Sequence, residues 1–270
     1  MTEVHIGVSG WKYRNWRGDF YPAGLRQSDE LGYLAERMNS AEINGSFYSL
    51  RKPEHYAAWR DATPRDFRFA VKGGRFITHM KKLNEPEMGL ANFFASGPLA
   101  LGTKLGCFLW QLPEALHFDL SRIGAFLEIL PRTADAASGL AQGCDRRIVS
   151  EPFTESPQMR VRHAIEVRHE SYRDPAFARM LAEHGVALVL ADTAGRFPQF
   201  DAVTADFVYV RLHGPHRLYF GSYRPDLIDI WARRVRQWLG AELDVFVYFD
   251  NDADGAAPFD AIALADALGV

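Results

Sequence analysis

The sequence predicts an α/β fold, a (β/α)8 TIM barrel built as a single domain over residues 1–270. Three observations predict it. Eight short apolar runs, rich in β-branched residues, recur along the chain, as buried parallel strands do. Helical patterns fall between most of them, and this alternation argues for parallel strands joined by helical crossovers. The phosphate fingerprint of a doubly wound open sheet is missing: no G-x-G-x-x-G follows the first run, and no G-x-x-x-x-G-K-[ST] occurs. Eight units in a chain of this length match a closed barrel, which typically needs about 250 residues.

The strands are predicted at Val4–Val8, Ala41–Ile43, Phe67–Val71, Leu105–Trp110, Ala164–Arg168, Ala187–Ala191, Val208–Leu212 and Val245–Phe249. The first helix, Ser28 to Met38, opens on Ser28 and Asp29 and carries Leu31, Leu34 and Met38 at helical spacing. Pro53 opens the next, with Trp59 on its apolar face. Pro86 to Leu101, Asp119 to Leu130, Pro175 to His184, Pro225 to Leu239 and Ala256 to Leu268 continue the series. Proline in the first turn is a good start signal because its missing N–H has no partner there anyway. Two connections depart from the pattern. Residues 131–162 form a long polar link before the fifth strand, part of it an extension of the preceding helix. It enters the N-terminal ends of the strands, the face concerned with stability, and is assigned no catalytic role. Asp192 to Asp206 is too short and too rich in turn residues for a full helix, so the helix after the sixth strand is irregular or missing.

Bulk properties exclude several classes. The chain is 47% hydrophobic and 24% charged, ordinary for a soluble globular protein. A net charge of −3 and a pI near 6.3 do not support a dedicated nucleic-acid binder. The start, MTEVHIGVSGW, lacks the basic-then-apolar plan of a signal peptide. The run VALVLA at 186–191 falls far short of the roughly 18 apolar residues that suggest a membrane span. Cys107 and Cys144 have neither metal-type nor redox-type spacing, and Cys107 reads as a buried, inert thiol. These readings predict a cytoplasmic protein with no membrane partner, and they assign no oligomeric state.

Barrel enzymes build their sites at the C-terminal ends of the strands. Those ends offer Trp11 and Tyr13; Glu42 and Asn44; Lys72; Gln111; Glu166, Arg168 and His169; Asp192; Arg211 and His213; and Asp250 and Asn251. Pairs two residues apart share a strand face, so Glu42 with Asn44, Glu166 with Arg168, and Arg211 with His213 point together. Taking ions out of water costs several kcal/mol each. Glu166 and Arg168 could simply neutralise each other, but charges at one strand end after another point to a site rather than a core. The predicted catalytic set is Glu42, Lys72, Glu166, Arg168, Asp192, Arg211, His213 and Asp250. The predicted substrate-binding set is Trp11, Tyr13, Asn44, Tyr48, Gln111, His169, Tyr219, Tyr223 and Asn251.

The same stretches resemble the YecE-like family, also called DUF72, whose members are uncharacterised TIM-barrel proteins. They are IGVSGWKYRNWRGDFYP at 6–22, AEINGSFY at 41–48, FRFAVKGGRFITHMKKL at 67–83, LGCFLWQLPEALHFD at 105–119, AIEVRHESY at 164–172, ALVLAD at 187–192, DFVYVRLHG at 206–214 and VYFDND at 247–252. The resemblance runs through nearly the whole chain and implies a (β/α)8 barrel. It implies no reaction. Gly45–Ser46, and Tyr172 where the family commonly has Trp, are mild departures that bear on a pocket wall.

Three chemistries fit the residues. In the first, an enzyme of hydrolase or isomerase/lyase type binds a small anionic ligand, a phosphate or carboxylate. Lys72, Arg168 and Arg211 hold the anion, since Arg forks suit both groups. Glu42 or Glu166 is the general base, and His213 shuttles a proton. No cofactor is predicted. In the second, Glu42, Glu166, Asp192, His213 and Asp250 ligate a divalent metal, although no local metal spacing exists and the interleaved cations oppose it. In the third, RFITHMKKL at 75–83 and HGPHRLYFGSYR at 213–224 bind nucleic acid through basic residues set between aromatics. For residues 213–224 a solvated lid hinged at Gly214 and Gly221 is the favoured reading.

Overall fold

A computed structural model of the chain describes residues 2–146, 148 and 156–270. In chain order the strands are β1 (Val4–Ser9), β2 (Ser40–Ile43), β3 (Arg68–Lys72), β4 (Leu105–Gln111), β5 (His163–Glu166), β6 (Ala187–Leu188), β7 (Leu190–Asp192), β8 (Phe207–Leu212) and β9 (Asp244–Phe249). The α-helices are α1 (Glu30–Ala35), α2 (Gly45–Tyr48), α3 (Pro53–Asp61), α4 (Glu87–Ala95), α5 (Leu120–Ile129), α6 (Ala134–Ala141), α7 (Pro175–Glu183), α8 (Pro225–Gly240) and α9 (Ala257–Leu268). The chain forms two compact units. One comprises residues 1–42 and 187–270, the other residues 43–186.

In the first unit the strands pair in the order β7–β8–β9–β1–β2, all parallel. The register runs from Val4 opposite Val245 to Val8 opposite Phe249. All six residues of β1 and of β8 are buried, as expected of parallel strands covered on both faces. Helices α8 and α9 pack on each other and on this sheet. Gly7 permits the close approach of β2: a Cβ there would lie 1.9 Å from the Ser40 carbonyl oxygen.

In the second unit β3, β4 and β5 are parallel, with a register shift between Phe69 and Ala70. The core is aromatic. Trp110 packs with Phe93, Phe126 and His163. His163 is fully buried, accepts a hydrogen bond from the Trp110 indole and contacts the Pro131 carbonyl oxygen. Burial pushes its pKa down to about 3, so it stays neutral.

The structure corrects four expectations. The predicted sixth strand is two short strands that break at Val189, and beside the break the Leu188 N–H bonds the Thr204 hydroxyl. The helix predicted over 86–101 breaks at Gly97, whose left-handed φ of 97° separates α4 from a 3-10 segment at Pro98–Lys104. The fifth strand ends at Glu166, so Arg168 lies beyond it. The link at 131–162 contains a separate helix, α6, capped by Thr133, whose hydroxyl accepts from the Ala136 N–H. Residues 147 and 149–155 of that link lie outside the described residues. After β7 no helix forms before β8, as the turn-rich sequence predicts.

Gly7→Ala is expected to destabilise the protein by about 1–3 kcal/mol or more, because strand backbone cannot move aside as a side chain can. Urea denaturation with an unchanged slope is the measurement. A cost near zero would show that β1 and β2 can separate freely.

Candidate functional site

The predicted residues fall into two clusters, one in each unit. In the first unit the centre is Arg211 near the end of β8, 1% exposed. Its guanidinium grips Glu42 with two bonds, Nε to Oε2 at 3.0 Å and Nη2 to Oε1 at 2.9 Å. Nη2 also reaches Asp250 Oδ2 at 3.0 Å and Ser9 Oγ at 3.2 Å. Glu42 takes further donors from Tyr209 Oη at 2.6 Å and Ser9 Oγ at 3.1 Å. Its carboxylate is therefore saturated with donors, which suits an anchor better than a base. His213 Nε2 lies 3.3 Å from Arg211 Nη1, and its Nδ1 lies 2.9 Å from Asp250 Oδ2. Glu42 and His213 are fully buried, whereas the Asp250 side chain is 15% exposed and is the member of this network that faces outward.

Around this network, loops are tied together. Asp192 accepts from the Tyr223 hydroxyl at 3.0 Å, and that hydroxyl accepts from the Gly214 N–H. Asn251 is buried and donates to Asp260 and to the Gly221 carbonyl. Trp11 is buried, and its carbonyl accepts from Tyr21. Tyr13 donates to the Ser9 carbonyl. These residues brace the loops that follow β1, β8 and β9. Tyr219, on the loop of residues 213–224, is 37% exposed, and its ring meets the His213 ring edge-on. It adopts a left-handed φ of 68°, uncommon outside glycine.

Sequence reasoning passed over Asp252, two residues beyond Asp250. It is 8% exposed. The Tyr13 hydroxyl and the Trp16 indole are near it without the alignment of full hydrogen bonds. Burial, then the charge of Asp250, raises its pKa well above the usual carboxylate range. Two carboxylates two residues apart thus differ: Asp250 is paired with the Arg211 guanidinium and Asp252 favours its neutral form. Tyr209 and Ser9, both bonded to Glu42, were also passed over. Tyr209 shares a strand face with Arg211, and that spacing was the available signal.

In the second unit the cluster gathers beyond β3, β4 and β5. Arg168 Nε bonds Glu166 Oε1 at 2.8 Å, with the Glu166 side chain 1% exposed. Lys72 Nζ sits 4.6 Å from the centroid of the Phe47 ring. His79, absent from the predicted set, stands among these groups on a π-helical turn at Phe76–Met80. Such turns occur often at functional sites. Gln111 Nε2 bonds the Leu112 carbonyl at 2.8 Å, which orients the amide, and lies 3.4 Å from His79 Nε2. The Thr78 hydroxyl is 2.9 Å from His79 Nδ1. Burial first, then Lys72 and Arg168, lowers the His79 pKa to about 4, against a smaller opposing effect of Glu166. Asn44 Oδ1 is buried with no hydrogen-bond partner among the described residues. Tyr48 is 68% exposed. His169 caps the turn at 170–173 and stacks on His117 at 3.8 Å.

Of the five predicted metal ligands, Glu42 and Asp250 both bind the Arg211 guanidinium. Among the described residues no group of three or more His, Cys, Asp or Glu is arranged to hold a metal ion. No helix of the described residues is long and apolar enough to cross a membrane.

Parallel strands alternating with helices, and charged clusters at and beyond the strand ends, define an α/β protein of the TIM-barrel class. Solved structures share this fold. A DUF72 family protein from Enterococcus faecalis superposes with a TM-score of 0.73 at 19% identity, covering 99% of this chain and 96% of the other. One from Thermotoga maritima superposes with a TM-score of 0.71 at 24% identity, covering 99% and 100%. Residues 5–270 match the family described as "Protein of unknown function DUF72", and the chain belongs to that family. Among its curated relatives, the UPF0759 protein YecE of Escherichia coli is 23% identical over 251 residues, 87% of this chain and 82% of the relative.

Two outcomes are expected. Arg211→Met strands the buried Glu42 and should cost roughly 3–5 kcal/mol in chemical denaturation, with part recovered by adding Glu42→Gln. A cost below 1 kcal/mol would remove Arg211 as the anchor. Asp252 has a raised folded pKa, so its contribution is fully present below the ordinary carboxylate value near 3.8 and is lost as pH rises through the folded value. Asp252→Asn should therefore melt a few degrees above the parent at pH 7, and the gain should shrink towards pH 3. An equal gain at both pH values would contradict the buried neutral acid.

Proposed function

We propose that the protein is an enzyme acting on a small anionic molecule, and that Lys72, Arg168 and His79 receive its carboxylate or phosphate group. The observation that carries this reading is the setting of His79. Burial first, then Lys72 and Arg168, and to a smaller degree Arg75, keep the imidazole neutral down to about pH 4 against the opposing effect of Glu166. An anion in the field of these cations would be held by Lys72 as a point charge and by Arg168 through its fork. Glu166 orients Arg168 through Nε. Gln111 and Asn44 would supply neutral polar contacts.

The same field links binding to acid–base chemistry. A bound anion offsets the effect of Lys72 and Arg168, and the His79 pKa moves back towards its ordinary value near 6.5. His79 then becomes a better proton acceptor when the substrate is in place, which is what a general base requires. The hydrolase, isomerase or lyase character of the reaction follows from this acid–base equipment.

Calorimetric titration with sulfate, whose charge is constant over the range, tests the reading. Because binding raises a depressed pKa, affinity should grow as pH falls from about 6.5 towards 4, with proton uptake. Lys72→Ala and Arg168→Ala should each weaken binding about tenfold or more, the worth of one charged hydrogen bond. His79→Asn should abolish the pH dependence. No sulfate binding at either pH would end the proposal.

A further inference from the structure

We infer that the anion received by Lys72, Arg168 and His79 is carried on a flat aromatic ring, and that Phe47 and Tyr48 are the wall against which this ring lies. The inference rests on the anion-binding reading and names the substrate class of that same site.

The wall begins at the cation. Lys72 Nζ stands 4.6 Å from the Phe47 ring centroid, so the ring and the charge adjoin. The Phe47 ring meets His79 at 5.0 Å and 86°. It also meets Tyr48 at 5.1 Å and 90°. The rings of His79, Phe47 and Tyr48 therefore form a continuous edge-to-face series leading out from the anion position. Its outer member, Tyr48, exposes 68% of its surface, so the series ends in solvent where a ligand ring can reach it.

The element is fixed. Both rings sit on α2, a single turn. Ser46 Oγ on that turn lies 2.6 Å from the Lys72 carbonyl oxygen and 3.0 Å from that of Ile43. Arg51 donates to the Gly45 carbonyl, and a Cβ at Gly45 would stand only 2.4 Å from that guanidinium. The turn that carries the rings is thus bonded to the backbone of the residue that carries the cation. The backbone that carries the rings is held in place before any ligand arrives, which lowers the entropy lost on binding. An aromatic ligand suits such a wall because ring faces and edges attract one another beyond the effect of area alone. A small inorganic anion would leave it unused.

Acetate, benzoate and cyclohexanecarboxylate carry the same charge at pH 7 and differ in the body attached, so titrating each tests the inference. Benzoate should bind about tenfold tighter than acetate and clearly tighter than cyclohexanecarboxylate, the upper range of an aromatic contact. Tyr48→Ala, at an exposed position outside the fold's core, should remove most of that preference and leave acetate affinity within about twofold. Equal binding of acetate and benzoate would overturn the aromatic wall while leaving the anion site standing. So would equal binding of benzoate and cyclohexanecarboxylate, or a benzoate preference that survives in both Tyr48→Ala and Phe47→Leu. If neither sulfate nor any of the carboxylates binds, the anion-binding reading itself falls and takes this inference with it.

Discussion

Arg211 carries a permanent charge where almost no water reaches it, and much of the first unit is organised around meeting that charge. A guanidinium has five N–H donors in a fixed fork and cannot shed its proton. Glu42 answers Nε and Nη2 from β2, three strands away in the sheet, and Asp250 and Ser9 share Nη2 with it. Tyr209 in turn completes Glu42. Such a network rarely adds stability over an apolar core of the same volume. It does set geometry: the positions of β1, β2, β8 and β9 at their C-terminal ends must all be correct for the bonds to close. Gly7, which lets β2 approach β1, is part of the same requirement.

The two clusters differ in electrostatic character. The first unit's holds Glu42, Asp192, Asp250 and Asp252 around Arg211, and burial first, then the charge of Asp250, raises the pKa of Asp252. The second unit's holds Lys72 and Arg168 against Glu166, and burial first, then these cations, lowers the pKa of His79. Perturbed groups of this kind gather at functional sites because they are costly anywhere else. The fold says little about which reaction results, since barrels of one architecture serve many chemistries. Residue-level features therefore carry the functional argument: the His79 field, the saturated Glu42, and the outward-facing Asp250.

The alternation of apolar runs and amphipathic segments was sufficient to place the strands within a residue or two at most ends, because burial on both faces leaves an unmistakable run such as that of β8. It could not show that Leu188 would give its N–H to the Thr204 hydroxyl beside a break in the strand, because a side-chain partner sixteen residues away leaves no periodic trace. It missed α6 for a similar reason: Ala, Ser and Gly dominate that helix, and the cap at Thr133 was its only sharp signal.

The sequence alone determined the fold class, the family and which strand ends carry charge. The fold class and the charged strand ends follow from local patterning, since apolar periodicity and the i, i+2 rule are properties of short segments, and the family follows from the resemblance of motifs along the chain. Tertiary structure decided what each charge does. Glu42 and Arg211 lie 169 positions apart, and only folding shows that one is spent holding the other. His79 looked like one member of a basic stretch until burial and the field of Lys72 and Arg168 set its protonation. Asp252 drew no notice in the sequence; burial first, then the charge of Asp250, raises its pKa in the folded protein. Protonation, saturation and exposure depend on groups brought together from distant parts of the chain, and distance in sequence does not encode distance in space.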